Sequence, residues 1–482
     1  ETGRMMTLIV APTKCYQPDM MREGGKPWGY PLQLYALRSA ENWGIGDFTD
    51  LGKMAGVAQR FGADILGINP INVAFMANVE TASPYYSSSR LFLNPLYIDV
   101  MAVNGAQKSK KLQALLADKD FQAKLQKARA SRIVEYALVG ELKGKAFEAL
   151  YADFNGSDAF DAFCEKGGEA LDNAALYQVL AENFVLKKKG VGFKSWGKAY
   201  ASPDTAQSKK FAKEHADRIR YFKYLFWLAD AQFKAASEAC GQANLGIGLY
   251  QDLAVGVAAE SAETWGAQEL FAVDLSIGSP PDMFNADGQR WGVAPMRPAR
   301  MREEAYASYR RILSANMKRA GAVRIDHVMG LARLFCIPDG AAGAYVQYPF
   351  ADMVGIVALE SHRNKCLVVG EDLGVVPGFF REALAEAGIL SFRVCRYERT
   401  PDGRYIPPAS YPESALVAAG THDMPTLTGW WTGGDIDAAC KIGMMDGQKE
   451  QIARADRRAD RFALVEAMSR VGLWFVESEN FE

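Results

Sequence analysis

Short apolar runs that end in turn or polar residues recur along this chain, separated by stretches of helical period. Residues 32–37 form one such run, followed by Trp43-Gly44-Ile45-Gly46-Asp47 and a helix-like stretch through Gln59. Ile65-Leu66-Gly67-Ile68 then runs into Asn69-Pro70, where turn chemistry closes a strand. Strand, helix, strand in that order predicts βα units. From 104 to 240 the text shifts to Ala, Lys, Leu and Glu, with few β-branched residues. Tyr221, Tyr224, Leu225 and Leu228 fall at i, i+3, i+4 and i+7, a single apolar stripe, and the segment reads as a helical insertion. Its Lys187-Lys188-Lys189 run reads as a solvated face.

Beyond 240 the strand-like runs return, each ending in polar residues. Residues 245–249 precede Gln251-Asp252, and 322–325 precede Asp326-His327. Residues 367–369 precede Glu371-Asp372, 392–394 precede Arg396-Tyr397, and 416–419 precede Thr421-His422-Asp423. Polar residues at the carboxyl ends of buried parallel strands are where barrel enzymes keep their chemistry. The pattern therefore predicts an α/β fold, a (β/α)8 TIM barrel with large helical insertions. No internal repeat is present, which excludes a solenoid.

Composition narrows the function classes. The chain has 482 residues, of which 49% are hydrophobic and 23% charged, as in an ordinary globular protein. Lys plus Arg at 55 against Asp plus Glu at 57 leaves a net charge of -2, so neither nucleic acid nor an anionic membrane is an expected partner. Seven scattered cysteines, without a CxxC pair, predict reduced thiols, and no apolar run is long enough to span a bilayer. With no signal-peptide core in the first twenty residues, the expected location is cytoplasmic.

Three of the strand ends are acidic: Asp326, Glu371 and Asp423. Glycosidic cleavage needs one carboxylate to attack an oxocarbenium-like centre and another carboxyl to protonate the leaving oxygen. Singly, such acids are ordinary helix caps. Their neighbours change the reading. Arg324 lies two residues before Asp326, so strand alternation puts both on one side, where a guanidinium holds the carboxylate ionised. His327 and His422, two of only four histidines, adjoin Asp326 and Asp423.

The wording of these segments resembles a known family. Arg324-Ile325-Asp326-His327-Val328-Met329-Gly330, Gly370-Glu371-Asp372-Leu373-Gly374 and Gly420-Thr421-His422-Asp423-Met424-Pro425-Thr426 are similar to the fourth, fifth and seventh strand signatures of the amylomaltases, or 4-α-glucanotransferases. Further similar segments are Asn42-Trp43-Gly44-Ile45-Gly46-Asp47-Phe48, Ser83-Pro84-Tyr85, Asn94-Pro95, Asp252-Leu253-Ala254-Val255, Pro280-Pro281-Asp282 and Gly288-Gln289-Arg290-Trp291-Gly292. They run in the family's order from about residue 27 to 433.

The resemblance implies a retaining transfer of α-1,4-glucan segments, with Asp326 as nucleophile, Glu371 as acid/base and Asp423 binding the distorted ring. It further implies substrate contacts from Arg324, His327, His422, Asp252, Tyr85, Trp291, Asp282 and Asn94. Maltooligosaccharides are then both donor and acceptor, and neither cofactor nor metal is required. Residues 277–291, rich in Gly, Pro, Asp and Asn, read as a long irregular loop, and the resemblance makes it a cover over the active-site groove.

The organisation that follows is a lead-in with the first strands (1–103), the helical insertion (104–240), strands three to seven with the site (241–432) and a helical segment (433–482). The family's eighth strand is not found in the text, so the barrel is expected to be truncated before it. Two rival functions stand beside transfer: an α-amylase-like hydrolase and an inactive glucan-binding fragment.

Overall fold

The Asn42 to Phe48 motif is helix-start chemistry. Asp47 accepts from the Asp50 amide at 2.9 Å while the Asp50 side chain accepts from the Asp47 amide at 3.2 Å, a reciprocal box that opens the helix Phe48–Arg60. Asn42 Nδ2 ties the box down by donating to Asp50 Oδ2 at 2.8 Å. Gly44 has φ +83°, and a β-carbon there would lie 2.6 Å from the Ala128 carbonyl oxygen, so glycine is needed twice over. The motif is accounted for by folding alone.

The structure is a computed structural model that describes residues 7–281 and 288–472. It consists of two units that divide the chain between Val368 and Val369.

The first unit holds four parallel strands in chain order: β1 (Gly29–Leu32), β2 (Ile65–Ile68), β3 (Gly248–Leu253) and β4 (Ala322–Ile325). β2 and β4 stand where the sequence predicts them. β1 ends where the apolar run 32–37 begins, because Leu34–Ala36 turns as a 3-10 segment whose Leu34 amide is captured by Asn69 Oδ1 at 2.7 Å. β3 starts later than the run 245–249, since Asn244 (φ 55°) and Gly248 (φ 88°) carry the chain out of the preceding helix in left-handed steps. As a result Gln251 and Asp252 sit inside β3 and not beyond its end, with Asp252 opposite Arg324 in register.

Between β2 and β3 the longer elements are helices, the last of them Ala216–Gln242. Tyr221, Tyr224, Leu225 and Leu228 are all buried in that helix, the stripe their spacing predicts. Burying each such side chain stabilises by about 1.5–3 kcal/mol. One buried cation ties these helices to the turn Pro95–Tyr97. Lys143 is 1% exposed and donates to the carbonyls of Leu96 and Ile98, both at 2.7 Å, while burial pushes its ammonium down to about 8.

Residues 277–291 are not wholly irregular. Leu275–Ser279 and Gln289–Arg290 pair antiparallel, Gly278 opposite Arg290, and join Arg333–Pro338 and Ala344–Gln347 in a four-stranded sheet. The Gly- and Pro-rich text conceals this because the strand partners are distant in sequence and Gly278 lies where a β-carbon would strike the Gln289 carbonyl. Asp282 lies outside the described residues.

The division passes through β5 (Leu367–Gly370). In the second unit β5, β6 (Leu390–Val394) and β7 (Ala415–Ala418) are parallel and again in chain order. β5 is wholly buried, whereas β7 is not, with Val417 47% exposed. Helices Gly434–Lys441 and Gly447–Ser469 follow, and a small cluster of Tyr405, Trp430, Leu464 and Ala467 fastens the second of these. Residues 473–482 are outside the description.

Candidate active site

In the first unit the register of β3 against β4 sets Asp252 beside Arg324. Arg324 Nη1 donates to Asp252 Oδ1 at 2.7 Å and Oδ2 at 2.9 Å, and the same nitrogen lies 2.9 Å from Asp326 Oδ1. The alternation argument predicts the second contact. The first, which makes Arg324 a bridge between two carboxylates, needs the cross-strand register and is invisible in the text. All three groups are largely shielded, with the Arg324 side chain 9% exposed, so the ionic contacts act at reduced dielectric.

Tyr85, carried on the loop after Ser83-Pro84, donates its hydroxyl to Asp252 Oδ2 at 2.5 Å. Burial and the adjacent Asp252 charge hold that hydroxyl protonated well above its usual range. Burial likewise raises the Asp252 carboxyl and Asp326 adds to the rise, while Arg324 and the Tyr85 hydrogen bond oppose them. The two acids thus share one guanidinium, and Tyr85 donates to Asp252.

Asp326 stands just past β4, its amide bound to the Leu253 carbonyl at 3.0 Å and its side chain 17% exposed. The next residue, His327, takes φ +46°, a left-handed conformation that costs a non-glycine residue about 1–3 kcal/mol and that clusters at functional sites. Burial depresses the His327 imidazole, with Asp326 opposing and Arg333 reinforcing the effect, so the ring is neutral at neutral pH. Trp291 meets this ring edge to face at 5.1 Å and is half-buried, so it is not a core residue.

Asn94 is employed differently. Its Oδ1 accepts from the Leu96 amide at 3.0 Å and opens the turn Pro95–Tyr97. That local bond explains an Asn before Pro without any substrate contact.

In the second unit two adjacent acids after β5 have distinct tasks. Asp372 is fully buried and tied to Arg381 Nε at 2.8 Å, Ser391 Oγ at 2.7 Å and the Phe392 amide at 3.0 Å, which pins the segment to β6. Glu371 is 8% exposed and accepts from the Leu373 amide at 2.7 Å through Oε1. Asp423 follows β7 on an open loop. Its side chain is 81% exposed, lies 3.2 Å from His422 Nε2, and its amide donates to Thr421 Oγ1 at 3.3 Å. Among the described residues no three His, Cys, Asp or Glu side chains gather as a metal site.

One arginine escapes the sequence reading of the site. Arg396, at the end of β6, is 6% exposed and donates to the carbonyls of Ala419 at 2.8 Å and Pro425 at 3.0 Å. Its place in the row of polar strand ends was the available signal.

Comparison with known proteins gives this arrangement a context. A family described as 4-alpha-glucanotransferase matches residues 32–479. The 4-alpha-glucanotransferase of Haemophilus influenzae is 36% identical over 96% of this chain and 68% of its own length. That of Mycobacterium tuberculosis is 35% identical over 97% of this chain and 66% of its own. The chain thus spans about two thirds of the length of these relatives. Among solved structures, amylomaltase from Corynebacterium glutamicum superposes with a TM-score of 0.82 at 28% identity, covering 96% of this chain and 64% of that one. An amylomaltase from Streptococcus agalactiae, 19% identical over 84% of this chain and 81% of that one, shares the fold with a TM-score of 0.71. Family match, identity and fold agree: the chain belongs to the 4-alpha-glucanotransferase family.

Proposed function

We propose that this chain is a retaining 4-alpha-glucanotransferase that moves a segment of one maltodextrin onto the 4-hydroxyl of another. The observation that carries the reading is the single Arg324 guanidinium held between Asp252 and Asp326 at neighbouring strand ends, in a chain of this family.

The Asp326 carboxylate attacks the anomeric carbon of the donor as Glu371 gives its proton to the departing glycosidic oxygen. The glucan is left as a β-glycosyl ester on Asp326, and the shortened sugar leaves. An acceptor 4-hydroxyl then attacks the same carbon while Glu371 takes its proton, the ester bond breaks, and the α-configuration is restored. Asp423, with His422, binds hydroxyls of the distorted ring, and Asp252 contacts the same glucose. Arg324, 2.9 Å from Asp326 Oδ1, orients that carboxylate for attack. His327 hydrogen-bonds uncharged sugar hydroxyls, and Tyr85 and Trp291 offer flat apolar faces to the sugar.

The family resemblance supports a cover contributed by the stretch 277–291 that keeps water out while an acceptor occupies the leaving-group side, which favours transfer over hydrolysis; Asp282 in it lies outside the described residues. The reading includes a (β/α)8 barrel with 104–240 as its insertion. It also places the protein in the cytoplasm with neutral α-1,4-glucans as partners, for which its unpaired cysteines and balanced charge are support. No organic cofactor enters the scheme.

Incubation with maltotriose tests it. The expected products are glucose and a ladder of longer oligomers. Maltose and glucose without longer products would mean a hydrolase, and binding without turnover would mean a glucan-binding protein.

A further inference from the structure

We infer that Arg396 is the positioning residue for Asp423, setting the third carboxylate by clamping the two ends of the loop that carries it. This rests on the role proposed for Asp423 above.

The loop from Ala419 to Pro425 has little packing to hold it. Val417 in β7 is 47% exposed and the Asp423 side chain 81%, so burial does not fix where the carboxylate points. Within the loop the amide bonds to Thr421 make a local turn, Asp423 to Thr421 Oγ1 at 3.3 Å and Met424 to the Thr421 carbonyl at 3.2 Å. Arg396 spans this turn: Nε donates to the Ala419 carbonyl before it, and Nη2 to the Pro425 carbonyl after it. A planar guanidinium offers these two donors at a fixed spacing, which sets the distance between the loop's ends.

The head that makes the clamp is itself well held. Cys395, its neighbour at the end of β6, donates to the Ala418 carbonyl at 3.0 Å, so the base of the side chain is in sheet register with β7. The guanidinium lies 5.5 Å from the centroid of the buried Trp430 ring, and that of Arg457, from the helix Gly447–Ser469, lies 5.1 Å from the same centroid. Arg457 is fixed in turn by paired bonds to Asp435 at 2.8 and 2.7 Å. Nη1 of Arg396 is buried without a hydrogen-bond partner among the described residues, so the head's hydrogen bonds go to the loop's own carbonyls. Gly420 supplies the space: a β-carbon there would stand 2.4 Å from Arg396 Nη2. An alanine at 420 therefore displaces the guanidinium without touching Arg396 itself.

The test compares the full chain with Arg396→Met, Arg396→Lys and Gly420→Ala, read by two independent measurements. Backbone hydrogen exchange at residues 420–425 is expected to rise in Arg396→Met and Gly420→Ala, and less in Arg396→Lys, which keeps the charge and one donor. Maltotriose disproportionation is expected to lose about tenfold in kcat with a much smaller change in KM, because the ring contacts of Asp423 strengthen in the transition state. In an Asp423→Asn background, Arg396→Met should add little further loss, since the two act through one step. Unchanged exchange in the loop of folded Gly420→Ala and Arg396→Lys chains overturns the clamp whether or not the protein is active. Raised exchange with unchanged kcat, or losses that multiply fully with Asp423→Asn, overturns its link to Asp423. An inactive parent chain with a loop that loosens as expected refutes the transferase reading, and with it the link to Asp423, and leaves the clamp standing.

Discussion

The carboxylates of the two units are held in opposite ways. In the first unit Asp252 and Asp326 are shielded, cross-braced by one guanidinium and locked to paired strands. In the second, Asp423 stands on an exposed loop whose ends are tied by a buried arginine. With the roles proposed above, the difference teaches that a nucleophile is fixed by ion contact and register, and a ring-binding acid by backbone clamping. A residue that forms a covalent bond needs a set charge as well as a set place. One that only hydrogen-bonds sugar hydroxyls needs the place alone, and exposure then costs it little.

Removing the brace in the first unit should do the most damage. Arg324→Met leaves two shielded carboxylates without their shared cation, and a broken buried pair of this kind costs about 3–5 kcal/mol. Chemical denaturation should show that loss together with near-complete loss of transfer. A stability within about 1 kcal/mol of the parent would show that the two regions are not held so differently.

A gentler probe of the same brace is Tyr85→Phe, which deletes the hydroxyl that donates to Asp252 at 2.5 Å. Hydrogen bonds to charged groups contribute about 1.5–3 kcal/mol, so kcat/KM should fall by about tenfold to a hundredfold. Arg324 still holds Asp252, which is why the effect stays below that of Arg324→Met. An unchanged kcat/KM would mean that Asp252 needs no support from the loop.

The smallest effect sharpens the electrostatic side of the contrast. The folded chain resists protonating buried His327, while the unfolded chain binds that proton near its ordinary pKa of 6.5. Below that value the unfolded state carries more protons, so stability falls as pH drops from 6.5 toward the depressed folded value. His327→Asn, which tolerates the left-handed conformation, should flatten that part of the denaturation profile. A profile as steep as the parent's would assign the loss to other groups.

Much of this layout is legible in the text, and the failures have causes. β2, β4 and β5 can be read because their residues are apolar, Arg324 in β4 apart, and each stops at or just before a polar residue. β3 starts later than its apolar run because a third of it is Gln251-Asp252, polar residues that count as strand only once β4 lies opposite. The pairing of 275–279 with 289–290 was lost because a Gly- and Pro-rich stretch gives no alternation to read. Asp326 and its contact with Arg324 followed from period two alone, but the bridge to Asp252 belongs to the register between strands distant in sequence. Asn94 shows the converse, a motif residue whose bond to the Leu96 amide is a turn device. Arg396 was in view as a strand end, yet nothing local says that its partners are two carbonyls more than twenty residues on.

The central claim is a glycosyl ester on Asp326, and trapping it is the most direct measurement. Glu371→Gln removes the group that deprotonates the acceptor, while α-glucosyl fluoride, whose leaving group needs no proton, still loads the nucleophile. Intact-mass and peptide mass spectrometry should find a single added hexose unit on the peptide containing Asp326, absent when Asp326 is also changed to Asn. A chain that stays unlabelled under turnover-competent conditions, or one labelled at another residue, would contradict the account.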